Sequence, residues 1–173
     1  LVGVLLLLGV TIIPQRLRSF ETELDDRIAL TARIVAESSD AENALIAGKA
    51  PAGWMVRLDA LSAETVGLDY VVVADCTGKR IYHPRHELIG QQFVGGDEAA
   101  AKQGSAPYIT TGIGTAELQR RAFQTVYNKE GSPIGFVMVS ASVATIQRKK
   151  LELLRSFLLV FAPALAAGLG SSW

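Results

Sequence analysis

Residues 69–84 read DYVVVADCTGKRIYHP. Asp69–Asp75 is a β-branched, apolar run, the composition of a buried strand. Cys76-Thr77-Gly78-Lys79 carries turn chemistry, and Gly78 can take positive φ without steric cost. Arg80–His83 resumes an extended pattern and stops at Pro84. The stretch therefore predicts a β-hairpin, the start of an antiparallel sheet.

Working outward, residues 85–104 read as loop and helix, with Gly90, Gly95-Gly96 and then DEAAAKQ closed by Gly104. Pro107–Gly112 and Arg120–Tyr127 predict two further strands, and Asn128–Gly131 a turn. Ile134–Val143 predicts the fifth strand, and Ala144–Arg155 a linking helix. Upstream, Leu17, Phe20, Leu24, Ile28, Ile34 and Val35 recur mostly at steps of three or four, the helical period. Asp40–Ala52 is small and polar, with Gly48 and Pro51, and reads as a break or as short helical turns. Trp54–Val66 predicts a second, shorter amphipathic helix. Five strands with hairpin-type connections, preceded by helices, give an α+β fold: an antiparallel sheet with helices against one face.

The two ends differ from the middle. Residues 1–13, LVGVLLLLGVTII, hold no charge, and Ser156–Leu169 is a second apolar run behind Arg148, Lys149, Lys150 and Arg155. Each is shorter than the roughly 20 residues that span a bilayer. The simplest reading is two truncated transmembrane helices flanking one polar loop, in a chain cut inside its first span. A signal-peptide core or a buried helix would also fit the first run. The expected organisation is a membrane helix at 1–13, N-terminal helices at 14–68, the core at 69–143, a linker helix at 144–155 and a second span at 156–173. The loop then lies wholly on one side of the membrane.

Composition narrows the function. The 173 residues carry 17 basic and 17 acidic side chains, so the net charge is zero and no nucleic-acid footprint is present. One cysteine, Cys76, excludes an internal disulfide or a cysteine-rich metal site, and only His83 and His86 supply imidazole. No Ser/His/Asp order, HExxH, Walker loop or paired-carboxylate motif occurs, so no catalytic centre, cofactor or metal is expected.

Four features suit anion binding. Arg80 and His83 sit on one strand, although in a regular strand they face opposite ways and meet only if the chain bends near Pro84. Arg121 and Phe123 share a strand face, where an Arg fork takes a carboxylate in bidentate fashion and a Phe ring walls its carbon skeleton. Phe93 precedes Gly95-Gly96-Asp97 at an expected helix start, where free N–H groups attract anions. Thr110, Thr111 and Thr115 offer hydroxyls. Asp97 equally fits a plain N-cap, and Phe93 and Phe123 plain core.

These stretches resemble the extracytoplasmic sensor domains of citrate- and C4-dicarboxylate-sensing histidine kinases, which are single Cache (PAS-like) domains. The similarity runs over roughly residues 15–170, with its specific part at 69–143. It is carried by Arg80, His83 and Pro84 as an Arg-x-x-His-Pro pattern, by Ile89, Gly90 and Phe93, by Val94-Gly95-Gly96-Asp97, and by Arg121 with Phe123. The resemblance implies that Arg80, His83, Phe93, Gly95, Gly96, Asp97, Arg121 and Phe123 bind ligand carboxylates. It further implies a bacterial inner-membrane location, a homodimer, and a cytoplasmic kinase acting on a response regulator. The same module on a chemoreceptor or a cyclic-dinucleotide enzyme is an alternative, as is a membrane-anchored interaction domain without a ligand. Three departures stand out: Glu117 follows the Gly114-Thr115-Ala116 turn, Met138 stands where relatives offer Ser, and Phe123 stands where citrate sensors tend to carry Lys. Fewer cations and hydroxyls favour a C4-dicarboxylate over citrate.

Overall fold

The hairpin forms as expected in the computed structural model. It describes residues 2–65, 67–114 and 117–170, leaving aside the side chains of 2–13, 157, 160, 161 and 163–170. Strands β1 (Tyr70–Asp75) and β2 (Arg80–Tyr82) pair antiparallel. Asp75 Oδ1 closes the turn by accepting from the Thr77 N–H (2.8 Å), the Thr77 hydroxyl (2.6 Å) and the Lys79 N–H (3.0 Å). Gly78 takes φ 91°, a conformation that L side chains disfavour.

Strands β3 (Tyr108–Ile113), β4 (Leu118–Tyr127) and β5 (Pro133–Ser142) complete an antiparallel sheet of order β2-β1-β5-β4-β3. The last strand in sequence lies at its centre, between β1 and β4. Alternation then sets two faces. Tyr70, Val72, Ala74, Phe136, Met138, Ser140, Gln119, Arg121 and Phe123 share one face, and Val71, Val73, Val137, Val139, Arg120 and Ala122 the other.

The second face takes the helices. Helix α1 spans Val2–Ala36, α2 Ser39–Ala47 and α3 Ala52–Glu64. Their buried residues include Ile28, Ala32, Val35, Ala41, Leu45, Trp54 and Leu58. Arg120 holds Asp25 of α1 through Nε (2.8 Å) and Nη2 (2.7 Å). The Tyr82 hydroxyl donates to Asp59 of α3 at 2.8 Å. The inward stripe of α1 runs through Ile28, Ala32 and Val35, while the expected Ile34 is 62% exposed, off that stripe.

One expectation is settled and one corrected. Of the two readings of Asp40–Ala52, a break or short helical turns, the helical one holds over its first half. Ser38 caps α2 by accepting the Ala41 N–H (3.2 Å), Gly48 ends it at φ 66°, and Ala41 and Ala44 let the helix sit close. Conversely, the helix expected in DEAAAKQ is only α4 (Ala99–Lys102), with Glu98 at its N-cap and no side-chain cap.

The chain divides into two units, Asp25–Val143 and a second made of Leu1–Leu24 with Ala144–Trp173. The second unit contains α5 (Val143–Gly170) almost entirely, and Lys150 there pairs with Glu21 of α1. No helix among the described residues is long and apolar enough to cross a membrane. The apolar runs at 1–13 and 156–173 fall largely on side chains outside the described set.

Candidate functional site

The site depends on one irregularity. Val73 pairs with Tyr82, but the next β1 residue, Ala74, pairs with Arg80 rather than Ile81. Ile81 is thus the extra residue of a β-bulge, which changes the alternation of β2. Tyr82 turns to the helices, and Arg80 and His83 both turn to the other face. The strand-only expectation that they point apart is corrected by this bulge.

Arg80, His83, Phe93 and Arg121 line a cleft of about 250 Å³, counting its open mouth, together with Tyr70, Val72, Val94, Gly114, Gln119 and Met138. Arg80 (3% exposed) and Arg121 (1%) are buried cations. Both guanidinium carbons lie over the Phe93 ring, at 5.8 and 5.7 Å from its centroid.

The two arginines differ in their partners. Arg121 Nη1 donates to Asp97 Oδ1 at 2.7 Å. No hydrogen bond or ion pair engages the Arg80 guanidinium among the described residues, and its Nε is buried. Burial, with Arg85 and Arg121 nearby, lowers the pKa of Arg80 from its usual value. Arg121 Nε, Asp97 Oδ2 and Ser140 Oγ are likewise buried without partners. Such groups are rare in folded proteins and mark a place where a water or ligand belongs.

His83 is set as a neutral donor. Its Nδ1 accepts the Arg85 N–H at 2.9 Å, which leaves the proton on Nε2. Burial, then the charges of Arg80 and Arg85, push its pKa down to about 4. The ring packs against Tyr70 at 5.5 Å.

Glycines shape the Arg121 end. A Cβ on Gly95 would meet Arg121 Nη1 and Asp97 Oδ1, one on Gly112 would come 2.7 Å from Asp97 Oδ2, and one on Gly114 would meet Gln119 Oε1. The backbone therefore closes on the ion pair as only glycine allows.

Other sequence-derived candidates fall elsewhere. Asp97 does not cap a helix; its carboxylate pairs with Arg121, and its carbonyl accepts the Tyr108 hydroxyl at 2.6 Å. With α4 only one turn long, no helix N-terminus is presented. Phe123 is core rather than wall: it is 1% exposed and stacks on Tyr108 at 5.0 Å. Gly96 has open space around it at φ 76° and lies outside the cleft wall. Thr111 accepts from Arg120 (3.1 Å), Thr110 pairs with Arg121 in the sheet, and Thr115 lies outside the described residues. Glu117 accepts the Ser142 hydroxyl at 2.9 Å and is not in the cleft wall. Tyr70, Gln119 and Ser140 were not singled out, though alternation and register with Arg121 place them on its face. Among the described residues, no group of three His, Cys, Asp or Glu is placed to hold a metal ion.

The single Cache domain 3 family matches residues 16–155. The chain belongs to that family. This Cache domain is 27% identical over 173 residues to the sensor protein CitS of Halalkalibacterium halodurans, covering all of this chain and 32% of that protein. It is 29% identical over 165 residues to a probable C4-dicarboxylate sensor kinase of Bacillus subtilis, covering 95% of this chain and 30% of that one. The chain thus spans about a third of the length of these curated relatives. Its fold matches the sensor domain of E. coli DcuS with a TM-score of 0.67 at 22% identity, over 76% of this chain and 96% of that one. The V. cholerae DctB sensor domain matches at 0.59 and 14% identity, over 83% and 58%. The expected PAS-like Cache fold is therefore the observed one.

Proposed function

We propose that this Cache domain is the extracytoplasmic ligand-sensing part of a membrane-bound two-component sensor histidine kinase. Its cleft binds a small di- or tricarboxylate, with a C4-dicarboxylate favoured over citrate. The observation that carries the reading is Arg80, a buried guanidinium without a counter-ion beside Arg121 and the Nε2–H of His83. A desolvated cation of this kind is stabilised by an anionic ligand that brings its own charge. The relatives' names supply the ligand class: one is called a C4-dicarboxylate sensor kinase. The apolar Met138 in the cleft wall favours the less charged acid. In this reading the protein sits in the bacterial inner membrane, works as a homodimer, and drives a cytoplasmic kinase and response regulator.

Calorimetry and thermal unfolding of the intact chain with succinate, fumarate, malate and citrate test it. A ligand at ~100 times its Kd adds about 2.7 kcal/mol of stability. No stabilisation by any of the four at millimolar concentration overturns the carboxylate assignment.

A further inference from the structure

Residues 94–98 form a short strap beside the Arg121 end of the cleft, and both its ends are anchored. The Phe93 N–H donates to the Gly78 carbonyl (2.7 Å), and the Phe93 ring packs against Phe136 at 5.3 Å between centroids. At the other end, Ala101 of α4 is buried, and its carbonyl accepts the Thr125 hydroxyl at 3.0 Å. The strap itself is neither helix nor strand, and Gly96 takes φ 76° with open space around it. Asp97 ties down its middle. The Asp97 carbonyl accepts the Tyr108 hydroxyl (2.6 Å), and Oδ1 accepts from Arg121 Nη1 (2.7 Å).

This ion pair is incomplete. A single hydrogen bond joins two groups that pair best through two. Asp97 Oδ2 and Arg121 Nε are buried and have no partner among the described residues. The pair also stands in the way of an anion, because Arg121 lines the cleft and Asp97 already occupies one arm of its guanidinium. An ionised carboxylate only accepts hydrogen bonds, so Asp97 offers a carboxylate ligand nothing but repulsion. Charge counts the same way. Arg80 and Arg121 balance two carboxylates. With Asp97 in place they face three, in a cleft where Arg80 is 3% exposed and Arg121 1%.

We propose that Asp97 is a built-in competitor: its carboxylate holds Arg121 until a ligand carboxylate displaces it, and the displacement unlatches the strap 94–98. This rests on the carboxylate-binding reading above and adds a regulation to it. The Asp97–Arg121 bond lowers the apparent affinity by the fraction of time that Arg121 is engaged, and so sets the concentration at which the site fills. Its release turns occupancy into a movement of the strap, for which Gly95-Gly96 supply the backbone freedom.

The test is calorimetry on the intact chain, with the tightest binder among succinate, fumarate, malate and citrate. Asp97→Asn keeps the shape and removes the charge. It is expected to bind that acid about tenfold more tightly or better, and to melt lower without ligand because Arg121 loses its counter-charge. Weaker or unchanged binding overturns the proposal, since an Asp97 that merely positions Arg121 loses affinity and stability together. An unchanged melting temperature overturns it too, because the pair is then absent in solution. Hydrogen exchange on the wild-type chain gives a second reading that needs no variant. With the acid at saturation, the amides of residues 95–98 are expected to exchange faster, while those of β4 and β5 slow. Strap amides that slow or stay unchanged overturn the displacement even where Asp97→Asn binds more tightly, because simple repulsion then suffices. If the wild type binds none of the four acids, the carboxylate reading falls and this one with it; if it binds and either result above goes the other way, only this one falls.

Discussion

At the scale of single residues, the two cleft arginines separate binding from stability. Arg121 is tied to Asp97, and Arg80 is tied to nothing described. Arg121→Met leaves Asp97 buried and unpaired, and is expected to cost about 3 kcal/mol or more of folding stability. Arg80→Met keeps the volume, removes a lone buried charge, and is expected to leave the unliganded protein as stable as before. Both lose carboxylate binding. Urea unfolding reads the contrast, and equal losses in the two variants would show that Arg80 has a partner in solution. His83 gives a pH signature. Its folded pKa of about 4 lies below its ordinary 6.5, so between these values the unfolded chain binds more protons and stability rises with pH. The contribution is fully present above pH 6.5 and is lost as pH falls toward 4. Melting curves across that window should show the slope, and His83→Gln should flatten it. Ligand affinity that depends on the neutral Nε2–H should stay level from pH 6.5 to 8. A fall over that interval would mean that the imidazolium binds instead.

At the scale of elements, the hairpin and the last three strands were legible in sequence because β-branched runs and turn residues mark them locally. The bulge at Ile81 was not, because an extra residue leaves no trace in a period-two pattern; only pairing with Val73 and Ala74 reveals it. Helix α2 was legible only as one of two readings, a break or short helical turns, because its small residues carry little pattern until a sheet is present for Ala41 and Ala44 to approach. Asp97 could be read as a ligand-binding residue at a helix start or as a plain cap, but not as an ion-pair partner, because Arg121 lies 24 residues away. The glycines turn these packings into a test. A Cβ at Gly95 strikes the end of the Arg121 side chain, whereas one at Gly135 strikes the Ala74 carbonyl and Leu45. Gly95→Ala is therefore expected to displace the ion pair and weaken ligand binding, chiefly a functional loss. Gly135→Ala forces rigid backbone and core apart, at a cost of about 1–3 kcal/mol, with ligand affinity held in the molecules that fold. Calorimetry beside thermal unfolding separates the two, and a reversed pattern would refute the packing argument.

At the scale of the whole molecule, Arg121, one of the proposed binding groups, and the start of α5 share one strand pair. Arg121 on β4 faces Ser140 on β5, and β5 ends two residues later at Ser142. There the Asp69 carboxylate accepts the Ser142 N–H, and Glu117 accepts its hydroxyl. Burial, more than the neighbouring Glu117, holds the Asp69 pKa above its usual value. Helix α5 begins at the next residue, Val143, with no loop between. A ligand that pulls on Arg121 therefore acts on a strand clamped at its end and continuous with a helix. If the signal leaves by that route, it needs a stiff first turn. Two glycines inserted between Thr145 and Ile146 each weaken the helix by about 1 kcal/mol without touching the cleft. In cells carrying the full-length protein, the insertion is expected to abolish the response to ligand. Calorimetry on the inserted chain should give the wild-type affinity. A response that survives the insertion would sink the stiff-link idea, and a lost affinity would show that the first turn of α5 helps to hold the cleft.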